Sequence, residues 1–203
     1  RQMCIRDSNI RMLKARIKEE PDYAVLYGYL CYEYLDQDDK ALALQTAEQG
    51  WRCDEKSKTA LAMLSAARSW LMLLGGELDE CLKTVEVGLA EGSGNADLQF
   101  LRGCALEQQA LKASEVDKRR AFLTDALEAI QKALRDADKP VQQRYVQGCT
   151  GWAARVREGT LQLLSGRPAS AQQSFETAMA LNSESREAQW GRLEALIESN
   201  KSS

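Results

Sequence analysis

Apolar and small residues recur along this chain at helical spacing, and four segments align with one another without gaps. They are Ala43 to Trp51, Cys81 to Leu89, Ala126 to Leu134 and Ala171 to Met179. The first column is small: Ala43, Cys81, Ala126, Ala171. The fifth is mostly larger and apolar: Ala47, Val85, Ile130, Phe175. The eighth is small again: Gly50, Gly88, Ala133, Ala178. The ninth is large and apolar: Trp51, Leu89, Leu134, Met179. Positions i, i+4, i+7 and i+8 share one face of a helix. Two small columns on that face let a neighbouring helix approach closely, and the large residue beside them fills the groove.

Each segment follows another helix-forming stretch, over 23–35, 59–74, 97–113 and 141–164. Gly75-Gly76 and Gly166-Arg167-Pro168 separate the two helices of a pair. Glycine supplies a left-handed cap there, and proline suits the first turn of the next helix. Pro21 and Pro140 fall between pairs. A last helix over 185–198 carries Trp190, Leu193 and Ile197 on one stripe. Residues 9–20 read as the second helix of a pair without its first, which predicts an open apolar face near Leu13 and Ile17 and self-association through it. The class is all-α: antiparallel helix pairs in about four full repeats, with a partial repeat before them and a capping helix after.

Composition narrows the chemistry. Histidine is absent from all 203 residues, which removes Ser-His-Asp, Cys-His and His-metal sites. Lys plus Arg is 27 against 30 Asp plus Glu, a net charge of −3, too mixed for binding nucleic acid or an anionic membrane by bulk charge. No apolar run approaches the roughly 20 residues of a membrane span. Cys31, Cys53, Cys81, Cys104 and Cys149 are widely spaced with no C-x-x-C, and read as reduced packed thiols in a cytoplasmic protein. Residues 1–8 (Arg1-Gln2-Met3-Cys4-Ile5-Arg6-Asp7-Ser8) resemble a translated sequencing-adapter end and are set aside as non-native. The repeat domain then runs over 9–199, divided as 9–20, 22–52, 57–92, 96–137, 141–182 and 185–199, with a tail over 200–203. A start at residue 9 implies that native sequence precedes it.

The pattern resembles the tetratricopeptide repeat (TPR). In the first full pair, Tyr27, Leu30, Cys31 and Tyr34 match that family's first helix, and the four gapless segments match its second. Trp190, Leu193 and Ile197 match three of the four first-helix positions in the last pair. The segment offsets of 38, 45 and 45 exceed the family's period of about 34, which implies longer helices or an inserted turn around 111–120 and before Gly151. The resemblance implies a right-handed superhelical solenoid whose first helices line a concave surface.

On that surface Tyr29 and Tyr32 are candidates to stack on a bound peptide or a neighbouring domain, with internal packing as the alternative. Ser65, Ser69, Met72, Gln99, Gly103, Arg157 and Glu158 are further inward-facing candidates. The set lacks the lysine and asparagine stripe with which chaperone-binding relatives clamp a terminal carboxylate. Asp36-Gln37-Asp38-Asp39 contains a D-x-D pattern but lies in a turn between helices, and reads as a solvated turn. Asn200-Lys201-Ser202 is a chance match to a glycosylation acceptor. No catalytic residue, metal site or cofactor is expected.

Two functions follow. The first is a non-catalytic scaffold that binds a protein or peptide along the concave face, with no nucleic-acid or membrane partner. The second makes this the acceptor-binding or bracing region of a glycosyltransferase whose catalytic domain lies upstream in the same chain. It rests on Asn9-Ile10-Arg11-Met12-Leu13, Glu20-Pro21-Asp22, Gly151-Trp152-Ala153-Ala154-Arg155 and Leu163-Leu164-Ser165-Gly166-Arg167. These are similar to the region after the catalytic domain in some family 2 glycosyltransferases.

Overall fold

The computed structural model describes residues 2–54, 56–91, 95–136 and 148–201. Among them the regular elements are helices: α1 (Gln2–Glu19), α2 (Ala24–Asp36), α3 (Lys40–Trp51), α4 (Lys58–Gly75), α5 (Leu78–Glu91), α6 (Ala96–Lys112), α7 (Val116–Arg135), α8 (Trp152–Leu164), α9 (Pro168–Leu181) and α10 (Arg186–Lys201). They form two compact units, Arg1–Ser93 and Gly94–Ser203.

In the first unit α2 pairs with α3 and α4 with α5, and α4 also packs on α2 and α3. In the second, α6 pairs with α7 and α8 with α9, while α10 packs on α9 and α8. The predicted helix over 141–164 begins at Trp152 in its described part. Residues 148–150 form a turn, and 141–147 with Pro140 lie outside the described residues.

Local chemistry sets the ends. Asp39, Ser57, Asn95 and Ser185 each accept a hydrogen bond from the backbone N–H three residues on, at 3.0–3.3 Å. These side chains satisfy donors that the first helical turn leaves unpaired. Gly76 (φ 77°) and Gly166 (φ 72°) close α4 and α8 in left-handed conformation. In both cases the following N–H bonds the carbonyl five residues back, Glu77 to Met72 (2.9 Å) and Arg167 to Gln162 (2.8 Å). Asp38 (φ 58°) takes the same place after α2, with Asp39 N–H on the Tyr34 carbonyl at 2.9 Å. The D-x-D turn is therefore a helix stop in which aspartate fills a position that favours glycine.

The second helices bury their repeating columns. Ala43, Cys81, Ala126 and Ala171 are fully buried, as are Ala47, Val85 and Ile130, with Phe175 nearly so. Gly50, Gly88, Ala133 and Ala178 are buried, and the ninth-column residues are half-buried. A fourth column, Thr46, Thr84, Ala129 and Ser174, is buried too. In three of the four pairs the first-column residue meets a small residue of its own first helix. Cys31 Sγ donates to the Ala43 carbonyl (3.2 Å), and Ser69 and Cys81 exchange side-chain-to-carbonyl bonds at 3.5 and 3.3 Å. A Cβ on Gly103 would stand 3.2 Å from the Ala126 carbonyl oxygen. Trp51 is covered from α4 by the Arg68 guanidinium, 4.4 Å from its ring and 2.9 Å from Glu48.

The start of the chain differs from the sequence expectation. Ile10 and Leu13 of α1 are buried on α2, and Ile17 packs beside them. The face predicted to be open is closed because α1 turns its apolar stripe onto α2, leaving Met12 exposed. The extra length in the third pair lies in the helices themselves, since α6 and α7 have 17 and 20 residues against 13 and 14 in α8 and α9. Gly103 and Ala126 stand twenty-three positions apart, against twelve for Cys31 and Ala43.

Candidate functional site

The candidate contact residues lie on the first helices. On α2, Tyr29 is 38% exposed. Tyr32 is half-buried, and its hydroxyl donates to the Met63 carbonyl at 3.0 Å, tying α2 to α4. Tyr27 and Tyr34 are core, and the Tyr27 hydroxyl donates to the Pro21 carbonyl at 2.8 Å. An open groove of about 800 Å³ lies beside the start of α2, bounded by Pro21, Tyr23, Val25, Lys56 and Ser57.

In the second unit Arg157 of α8 reaches Glu107 of α6 at 3.4 Å. Burial raises the Glu107 pKa, and Arg157 only partly opposes it. Burial disfavours the Arg157 charge, but Glu107, Cys104 and Glu187 outweigh it and raise its pKa. The guanidinium is thus fixed as a cation with carboxylates of α6 and α10 around it, while its side chain stays 38% exposed. Deeper in this unit the Cys149 thiol lies 3.0 Å from Asp97 Oδ1, both groups buried.

The other candidates do not face outward. Ser65 and Ser69 are fully buried. Ser69 meets Cys81 of α5, and Met72 accepts a bond from Thr84 of α5 at 3.6 Å. Gly103 is pressed against Ile130 of α7, whose Cδ1 would stand 2.6 Å from an added Cβ. Glu158 is buried, 2.8 Å from Arg155 and 3.1 Å from Ser174 of α9. Gln99 is half-buried with its carbonyl oxygen enclosed. The face assigned to Ser65, Ser69, Met72, Gly103 and Glu158 is the one that packs on their own second helices. The cause is register: in the middle pairs this face lacks the aromatic residues that mark it in α2. Of the inward candidates, Tyr29, Tyr32 and Arg157 remain where one first helix meets another or meets solvent. The buried fourth column (Thr46, Thr84, Ala129, Ser174) is small in all four segments, and that smallness is its sequence signal.

No group of three His, Cys, Asp or Glu among the described residues is arranged to hold a metal ion. None of the described helices is long and apolar enough to cross a membrane.

No protein-family profile and no curated protein matches this chain. Solved structures do. The thermophilic TPR protein TTC0263 of Thermus thermophilus superposes with a TM-score of 0.64 at 18% identity, over 88% of this chain and 89% of that one. YrrB, described as a TPR protein with an unusual peptide-binding site, gives 0.64 at 15% identity over 93% and 84%. MamA from Desulfovibrio magneticus RS-1 gives 0.60 at 16% identity over 91% and 92%. At these identities the likeness establishes the fold, which is the tetratricopeptide type of antiparallel helix pairs.

Proposed function

We propose that this chain is a non-catalytic scaffold that binds a protein or peptide segment on the surface formed by its first helices. The observation that carries the reading is the pairing of this fold with partly exposed anchoring groups on that surface. Tyr29 and Tyr32 offer flat apolar area at low entropic cost, and Arg157 offers a fixed cation among carboxylates. YrrB, one of the similar structures, is described by its peptide-binding site. Repeat arrays present such surfaces because each unit touches only its neighbours and leaves one side of the first helices free.

The test is selection of binders from a random peptide library on the intact chain, followed by measurement on three variants. Tyr29→Ala should weaken binders of the first unit about tenfold and Arg157→Ala those of the second, and Val87→Ala, on the exposed side of α5, should leave both unchanged. Binders that ignore the first two and lose affinity with the third refute the reading. The glycosyltransferase reading rests on the sequence strings alone, and the upstream gene sequence decides it. An α/β stretch with D-x-D shortly before Asn9 supports it, and further helical repeats exclude it.

A further inference from the structure

We infer that the tip of the α6–α7 hairpin docks an acidic segment of a partner protein, with Val116, Arg119 and Arg120 as the contact. The first six residues of α7, 116–121, are all exposed, and the core begins only at Leu123. Val116 is 71% exposed, and Leu111 at the end of α6 is 57% exposed. Val116, Arg119 and Arg120 stand at i, i+3 and i+4 and so share one face of the helix. Seven residues after Val116, Leu123 lies in the same row and is buried. A row that is core at Leu123 therefore runs on uncovered to the tip.

Stability does not account for the charges there. Lys118, Arg119 and Arg120 are consecutive cations at the start of α7, where the helix dipole disfavours positive charge. Glu115 and Asp117 have a local reason, because acidic groups suit a helix N-terminus. Lys118 lies over the Phe122 ring at 5.8 Å. Arg119 and Arg120 have no side-chain partner among the described residues, and Glu115, four residues before Arg119, does not reach it. Two exposed guanidinium groups beside an exposed apolar side chain offer forks for carboxylates around an apolar seat.

The residues that flank Val116 select the occupant. In a bilayer, Val116 would draw the carboxylates of Glu115 and Asp117 toward hydrocarbon, which is costly. Against a nucleic acid, the same carboxylates would face phosphates, and neither Val116 nor Leu111 would gain a partner. A protein segment that sets an apolar side chain between carboxylates satisfies all three contact residues at once. It needs only the face of Val116, Arg119 and Arg120, and leaves Glu115 and Asp117 at its margin.

The probe is a fluorescently labelled peptide of about a dozen residues that mixes glutamates with leucines, titrated onto the full chain and read by anisotropy. Binding should saturate and should weaken as salt rises. Arg119→Glu combined with Arg120→Glu should weaken it about tenfold or more, and Val116→Ser several-fold. Arg52→Glu, the same charge reversal on an exposed residue of the first unit, should leave it unchanged. So should Arg157→Ala, which separates the tip from the surface that carries Arg157. Circular dichroism confirms that the variants fold, and Arg119→Gln with Arg120→Gln repeats the loss without adding acid. Absence of binding, equal affinity for a peptide with lysines in place of the glutamates, or an equal loss with Arg52→Glu overturns the proposal. So does tighter binding of phosphatidylserine vesicles or of an RNA oligonucleotide through the same arginines, or a dimer of the chain alone that their reversal dissolves.

Discussion

Gly191→Ala tests how the second unit is held together. The Phe175 ring is buried between two glycines, Gly159 of α8 and Gly191 of α10. A Cβ at Gly191 would lie 2.4 Å from Cε1 and Cζ of that ring, and one at Gly159 would lie 2.8 Å from the same atoms. An ordinary carbon contact is about 3.5–4.0 Å, so α10 must retreat by about 1 Å or more. The ring cannot yield instead, because α8 stands behind it. Overpacking of this kind costs about 1–3 kcal/mol, and alanine's helix propensity returns roughly 1 kcal/mol. A net loss of up to about 2 kcal/mol is expected, a fall of up to roughly 8 °C in Tm for a chain of this size. Gly75→Ala is the control, since only the flexible Glu77 side chain lies near its added Cβ, at 3.4 Å. Urea and thermal unfolding by circular dichroism measure both. Phe175→Leu combined with Gly191→Ala should cost less than the sum of the two alone, because the smaller side chain removes the collision. A stabilised Gly191→Ala, or strict additivity, refutes the clamped ring.

Other outcomes follow from the same contacts. Asp38→Gly should raise stability by about 0.5–1 kcal/mol in urea titration and Asp38→Ala should not, because the site is left-handed and its ion pair with Lys40 is exposed. Ala133→Arg places a charge in a fully buried column and should cost about 3 kcal/mol or more, read by the same titration. Burial pushes the Cys31 and Cys81 thiols up to about 12 and about 11, so both should resist thiol reagents at pH 8 until urea unfolds the chain. Glu107 has a raised pKa in the folded state, so the folded chain holds its proton more tightly than the unfolded one. Its contribution is therefore lost as pH rises from the ordinary carboxyl value of 4.5 through the raised one. Urea midpoints between pH 4 and 7 should fall with a slope that Glu107→Gln flattens.

The second helices were legible because few side chains fit beneath a neighbouring backbone. Where Cys31 bonds the Ala43 carbonyl and Gly103 abuts that of Ala126, the sequence has little choice but smallness, and smallness recurs visibly. The stops at Gly76 and Gly166 were legible for a related reason, since a left-handed residue favours glycine. Asp38 in the same role was hidden, because aspartate also suits an ordinary turn. The first helices were the harder half. In α2, Tyr27, Leu30 and Tyr34 announce the packed face, whereas in α4 and α8 that face holds Ser65, Ser69, Met72 and Glu158. Polar and small residues there look like surface, and their partners Thr84 and Ser174 lie on another helix. Ser65, Ser69 and Glu158 are buried packing residues for that reason, while Tyr29 keeps an exposed surface.

The long hairpin of α6 and α7 separates two kinds of freedom. Its first column still meets Gly103, but its extra turns run out to a tip where Leu111 and Val116 are exposed. Growth at such a tip leaves the spine of stacked columns untouched and alters only the rim. A lineage carrying this architecture can lengthen, trim or redecorate one arm by whole turns without renegotiating the seams, so its outline is free to vary faster than its core.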